Sequence, residues 1–201
     1  MKIYSNLTAL IGSTPLLEAQ RLTNVKNLNA KILLKLEALN PGGSVKDRVA
    51  LAMIEDAEKK GLLTPGGTII EATSGNTGIA LAALGRYYKY PVYIFMPDWV
   101  SKERINLIKN YGANIILFSK EEGGFIRCVS EAKKMAKEKN GFLANQFANE
   151  DNFKAHFETT AEEIWKYMPK TKEQNAESVM LTDYPSTNAQ YENEELSKQY
   201  T

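Results

Sequence analysis

The sequence predicts an α/β fold in which a parallel sheet is flanked by helices, and three observations carry the prediction. Short apolar runs alternate with helical stretches of ten or more residues. Two of the runs, VYIFM (92–96) and NIILF (114–118), are apolar on both faces, as a sheet covered on both sides requires. A glycine-bearing loop at 73–78 passes straight from one run into a helix, the usual join of a βα unit.

In chain order, 31–36 (KILLKL) reads as a strand. Residues 45–60 read as a helix: Val45, Val49, Met53 and Ala57 recur every four positions, with Ser44 as N-cap and Gly61 just past the end. The strand TIIEA (68–72) precedes a small-residue helix at 77–88. VYIFM is ended by Pro97, a helix at 101–111 stops at Gly112, and NIILF follows. A Lys- and Glu-rich helix at 125–140 leads into a short strand at 141–144, and a last helix spans 151–167 before Pro169. Each crossover is expected to be right-handed. Residues 169–201 have few aliphatics and no clear period, and read as a divergent or mobile tail. No glycine occurs after Gly141.

Composition narrows the function. The 201 residues carry 25 basic and 24 acidic side chains, a net charge of +1, so nothing points to nucleic acid or an anionic membrane as partner. No apolar run is long enough for a membrane span, and the first 20 residues hold no unbroken apolar stretch of the kind a secretory signal needs. One cysteine, Cys128, excludes an internal disulfide and fits a cytoplasmic setting. With a single histidine, His156, no conventional zinc site and no Cys-His nucleophile pair is expected, and no metal site is assigned.

Two segments carry chemistry. In Asn40-Pro-Gly-Gly-Ser-Val-Lys-Asp-Arg48, a tight turn leads into a helix whose first turn holds Lys46. The positive end of the helix dipole is an unusual place for a lysine, and carbonyl chemistry requires an uncharged amine. The plain alternative is an exposed lysine between solvated neighbours Asp47 and Arg48. The spacing does not match a P-loop. The second segment, Thr73-Ser-Gly-Asn-Thr-Gly78, lies between a strand and a helix N-terminus, a ready anion site. Gly75 and Gly78 allow close backbone approach, Thr73, Ser74 and Thr77 offer hydroxyls, and Asn76 offers an amide. The alternative is an ordinary capped helix start.

NPGGSVKDR followed by EATSGNTGIALA resembles the fold-type II pyridoxal-phosphate enzymes (the tryptophan synthase β-like fold), specifically the cysteine synthase, or O-acetylserine sulfhydrylase, branch. IGSTPLL (11–17) agrees, and MPDWVSKERINLIKNYGANIIL and NQFANEDNFKAHFETTAEEIW look closer to the B isoform. The resemblance runs from about residue 5 to about residue 167. It implies pyridoxal 5′-phosphate as cofactor, Lys46 as the residue that bonds it and then removes the substrate α-proton, and Asn76 as partner of the cofactor's ring oxygen. It implies that Thr73, Ser74, Gly75 and Thr77, with Gln146, hold the substrate carboxylate. The reaction implied is β-replacement, in which O-acetyl-L-serine and sulfide give L-cysteine. The family also implies a homodimer and a two-domain chain: 1–39 as the first part of a large domain, 40–148 as a complete small domain, 149–168 as a helix of the large domain, and 169–201 outside it.

The sequence departs from this pattern at its end. Thr160-Ala-Glu-Glu163 stands where the family usually has Thr-Gly-Pro-Glu, and no Gly/Thr-rich loop follows to cup the cofactor phosphate. The chain reads as C-terminally truncated. A non-catalytic fragment or interaction module is therefore the competing reading, and within the enzyme class cystathionine synthesis and cysteine desulfhydration stay open.

Overall fold

The structure, a computed structural model, describes residues 3–26 and 31–167. The expected tail at 169–201 lies outside the described residues.

The chain opens with a 3₁₀ turn, Thr8–Leu10, and then β1 (Leu16–Glu18), which pairs antiparallel with β2 (Leu33–Lys35), Leu17 opposite Leu34. The short helix α1 (Gln20–Val25) lies between them. This antiparallel pair corrects the uniformly parallel expectation. The strand in 31–36 shrinks to three residues, because it has one short partner and Pro15 precedes that partner.

The main sheet is parallel, in the order β5-β4-β3-β6, from β3 (Ile69–Ala72), β4 (Val92–Pro97), β5 (Asn114–Phe118) and β6 (Phe142–Leu143). β4 runs on through Pro97, which was expected to end it; the proline occupies the strand's last position. Side chains alternate across the sheet with period two. Ile69, Val92, Ile94 and Met96 enter a core with α2 (Lys46–Lys59), α3 (Asn76–Tyr88) and α4 (Lys102–Asn110). Ile70, Ala72 and Phe95 face Cys128 and Ala132 of α5 (Gly124–Lys139). Among the described residues β5 is an edge strand and only partly covered: Leu117 is 38% exposed, so NIILF is not the two-faced buried strand its sequence suggests.

Helix ends follow local chemistry. Gly61, at φ +69°, closes α2 in a left-handed turn; its N–H bonds the Glu58 carbonyl at 3.0 Å and Leu62 N–H bonds that of Ala57 at 2.8 Å. The last helix is not uniform. It runs as α6 (Glu150–Ala155), a π-helical stretch (His156–Ala161) and α7 (Glu162–Tyr167). α6 packs on α2. The π stretch inserts about one residue and so swings the following face by roughly 100°.

Candidate active site

Lys46 is the first residue of α2 and is half-buried. The helix starts one residue later than its periodicity suggests, because Val45 still belongs to a tight turn. Ser44 Oγ accepts the Lys46 N–H at 3.1 Å, and the Asp47 N–H reaches the Ser44 carbonyl at 3.3 Å. The loop before it is pinned from several sides. Asn40 Nδ2 donates to the Ser44 carbonyl at 3.1 Å, Asn40 Oδ1 accepts the Gly12 N–H at 2.8 Å, and Asp47 Oδ2 accepts the Gly42 N–H at 2.5 Å. Asp47 and Arg48 are each 3% exposed, which removes the picture of solvated neighbours. Among the described residues, Lys46 Nζ makes no hydrogen bond or ion pair, so a half-buried amine stands uncommitted.

The loop at 73–78 sits at the carboxyl end of β3. Thr73 is buried, its N–H bonded to the Phe95 carbonyl at 2.9 Å and its hydroxyl accepting the Gly75 N–H at 3.2 Å. Ser74 is exposed. Gly75 precedes α3, and the space where a side chain would begin is open, with nothing within 4 Å. Asn76 is half-buried in the first turn. Gly78 is held close to the sheet: a Cβ there would meet Thr73 Cγ2 at 2.9 Å and Ile94 Cγ2 at 3.3 Å, so only glycine lets α3 start this near β3 and β4. Thr77 and Gln146, from distant segments, are both buried, and the Thr77 hydroxyl donates to Gln146 Oε1 at 2.5 Å.

Two features escaped the sequence reading. Beneath the loop, Glu71 is buried in β3; burial pushes its carboxyl up to about 7, against the pull of the Gln146, Ala72 and Asn145 N–H groups. Its signal was available: a charge in a short apolar strand must find partners. The second is a buried quartet. The Arg48 guanidinium straddles two carboxylates, giving Nε and Nη2 to Glu37 at 2.8 and 2.9 Å and Nη1 and Nη2 to Glu163 at 2.7 and 2.8 Å. Lys35 Nζ completes it at 2.6 Å from Glu163, and bonds the hydroxyl of Thr14. Burial alone would raise Glu163, but hydrogen bonds from Arg48, Lys35 and the Ser13 N–H bring it down to about 2. The quartet fixes Arg48, two positions beyond Lys46, to α7.

Cys128 is fully buried, its thiol pushed up to about 11 by burial, and reads as a core residue. No group of three or more potential metal-ligating side chains is found among the described residues. Two clefts lie elsewhere, of about 260 Å³ beside Lys60 and Asn149 and about 540 Å³ beside Arg86 and Tyr111; neither Lys46 nor the 73–78 loop lines them.

The pyridoxal-phosphate dependent enzyme family matches residues 7–179. The chain belongs to this family. The match extends past the resemblance noted in the sequence, into residues outside the described ones. Cysteine synthase B of Escherichia coli is 47% identical over 162 residues, 81% of this chain and 52% of that protein. The solved structure of a cysteine synthase from Entamoeba histolytica superimposes with a TM-score of 0.76 at 45% identity, over 82% of this chain and 49% of that one. A hydrogen sulfide-producing enzyme from Fusobacterium nucleatum gives a TM-score of 0.75 at 46% identity, over 83% and 53%. The chain thus spans about half the length of the relatives it matches. The B-type likeness and the α/β fold read from the sequence agree with these findings.

The residues present fit one end of pyridoxal phosphate. An uncommitted lysine amine, an amide in the first turn of α3 and hydroxyls around an open Gly75 suit the aldehyde side and an adjoining carboxylate. A glycine-rich cup for the phosphate is not found among the described residues.

Proposed function

We propose that this chain supplies the lysine-bearing part of an enzyme that forms L-cysteine from O-acetyl-L-serine and sulfide. The observation that carries the reading is the Thr77–Gln146 hydrogen bond of 2.5 Å at the N-terminus of α3, in a chain whose family lysine stands uncommitted. When bound, pyridoxal phosphate supplies the electron sink for loss of the α-proton and the β-substituent.

The chain's own residues do the rest. Lys46 Nζ holds the cofactor and takes the α-proton, two tasks for one amine at the start of a rigid helix. Asn76 steadies the ring oxygen. Thr73, Ser74, Gly75 and Thr77, with Gln146, receive the substrate carboxylate, helped by the positive end of α3. Fixing the carboxylate aligns the Cα–H bond toward Lys46, and positioning of this kind accounts for much of a rate enhancement. Residues 40–148 act as the small domain that closes on the substrate, while 1–39 and 149–168 belong to the large one. A cytoplasmic homodimer completes the reading, supported by the lone buried Cys128 and by the family.

One observation favours a narrower reading: the chain spans about half of its relatives and carries no glycine after Gly141. On that reading the chain is a non-catalytic fragment or interaction module that does not hold the cofactor. The kinship with a hydrogen sulfide-producing enzyme leaves the direction of sulfur transfer to the same test. Purified chain mixed with pyridoxal phosphate is expected to develop the visible absorbance of a lysine-bound cofactor, and O-acetyl-L-serine to shift it. Cysteine formed on adding sulfide supports synthesis; sulfide released from cysteine alone supports desulfhydration. A chain that stays colourless with pyridoxal phosphate supports the narrower reading. Gln146→Ala is expected to weaken O-acetyl-L-serine binding roughly tenfold, the worth of one good hydrogen bond, with the cofactor absorbance unchanged.

A further inference from the structure

Glu71 lies two positions before Thr73 and is 3% exposed, yet among the described residues no lysine or arginine pairs with it. A buried carboxyl without a cation is costly and must be justified by what it holds. Its oxygens take main-chain donors: Oε1 accepts the Ala72 N–H at 2.8 Å and Oε2 the Gln146 N–H at 3.0 Å. Asn145, at φ +49°, adopts the left-handed conformation that turns the chain into Gln146. From the other side, Asn152 Nδ2 donates to the Gln146 carbonyl at 2.9 Å and Asn149 Nδ2 to the Ala144 carbonyl at 3.0 Å. The peptide groups flanking Gln146 are therefore clamped. Its side chain gives Oε1 to Thr77 at 2.5 Å, so Nε2 is the end that can donate to an anion.

We infer that Glu71 is a positioning residue. By gripping the Gln146 N–H it holds the Gln146 carboxamide against Thr77, in the orientation that receives an amino-acid carboxylate. The inference rests on the proposed role of Gln146 and adds the residue that sets it. A glutamine at 71 could accept at only one atom; the bond to the adjacent Ala72 N–H is local and is the one expected to persist, so the Gln146 N–H, 75 positions away, would face a donor instead.

The test is a titration of the pyridoxal-phosphate-loaded chain with L-serine, followed through the cofactor absorbance. Glu71→Gln is expected to raise the apparent Kd roughly tenfold, the equivalent of one well-made hydrogen bond, while the absorbance before serine is added stays as in the unmodified chain. In a Gln146→Ala background the same change should alter Kd by less than about twofold, because the group that Glu71 positions is gone. A tenfold loss in both backgrounds, or none in the first, overturns the assignment. Glu71→Asp, which keeps the charge and shortens the reach, carries the same cycle if the glutamine variant does not fold. In the ligand-free protein, the Gln146 amide proton resonance should move upfield in Glu71→Gln while those of α5 stay put; a stationary Gln146 resonance also overturns it. Failure of the unmodified chain to take up cofactor or serine is a different result: it removes the proposed role of Gln146 itself, and the amide resonance then reads the Glu71 clamp alone.

Discussion

Arg48→Ala is expected to cost about 3–5 kcal/mol of unfolding free energy, the usual penalty for stripping the partner from a buried ion pair. Arg48 gives four of the quartet's hydrogen bonds, two to each carboxylate, and its loss leaves Glu37 and Glu163 to share Lys35. Both carboxylates are sparsely exposed, at 4% and 17% of their side chains, so water can make up little of the deficit. Against a total stability of about 5–15 kcal/mol this is a large fraction. Urea unfolding measures it, and a loss below about 1 kcal/mol would mean that the quartet contributes little. The same group sets the acid limb. Glu163 is depressed from 4.5 to about 2, so its contribution is present above pH 4.5 and is lost as pH falls toward 2, to a total of about 3 kcal/mol. Glu37 is lowered too and acts in the same direction. Glu71 is raised from 4.5 to about 7, so its contribution is present below pH 4.5 and lost as pH climbs through 7. The two windows meet at about pH 4.5, and stability should peak near there and fall on either side. Glu163→Gln should flatten the acid side alone, and Glu71→Gln the neutral side alone.

Lys46→Ala is expected to abolish the absorbance of protein-bound pyridoxal phosphate while leaving the fold intact. No other lysine combines a helix-starting position with the family motif. The Lys46 amine supports no hydrogen bond among the described residues, and alanine is the best helix former, so thermal unfolding should shift by no more than a few degrees. A mutant that keeps the band would transfer the linkage to another lysine, and mass spectrometry after borohydride reduction would locate it. The contrast with Arg48→Ala is the informative part: two positions apart on one helix, one substitution should remove chemistry and the other stability.

How much of this was legible beforehand depended on distance along the chain. Strand and helix periods are local, so β3 to β6 and α2 to α5 fell within a residue or two of expectation. The β1–β2 pair was not legible, since three residues after Pro15 carry too short a pattern to fix a partner or a direction. The π stretch at His156–Ala161 was missed because an i→i+5 ladder leaves no mark on composition. Lys46 and the 73–78 loop were singled out through motifs, and their roles are those of the proposed function. The meeting of Thr77 with Gln146 followed only from family resemblance, because 69 residues separate them. Arg48 and Glu163 lie 115 positions apart, and nothing near either residue announces the other.

That separation has a kinetic consequence. A growing chain exposes Thr14, Lys35 and Arg48 long before residue 163 is made, and two cations beside one carboxylate gain little from leaving water. The sheet from β3 to β6 closes with shorter loops and is free to assemble first. The carboxylate of Glu163 would then act as the late clasp that draws the amino-terminal arm onto a finished core. Weakening that clasp should speed unfolding several-fold and leave the refolding rate almost untouched.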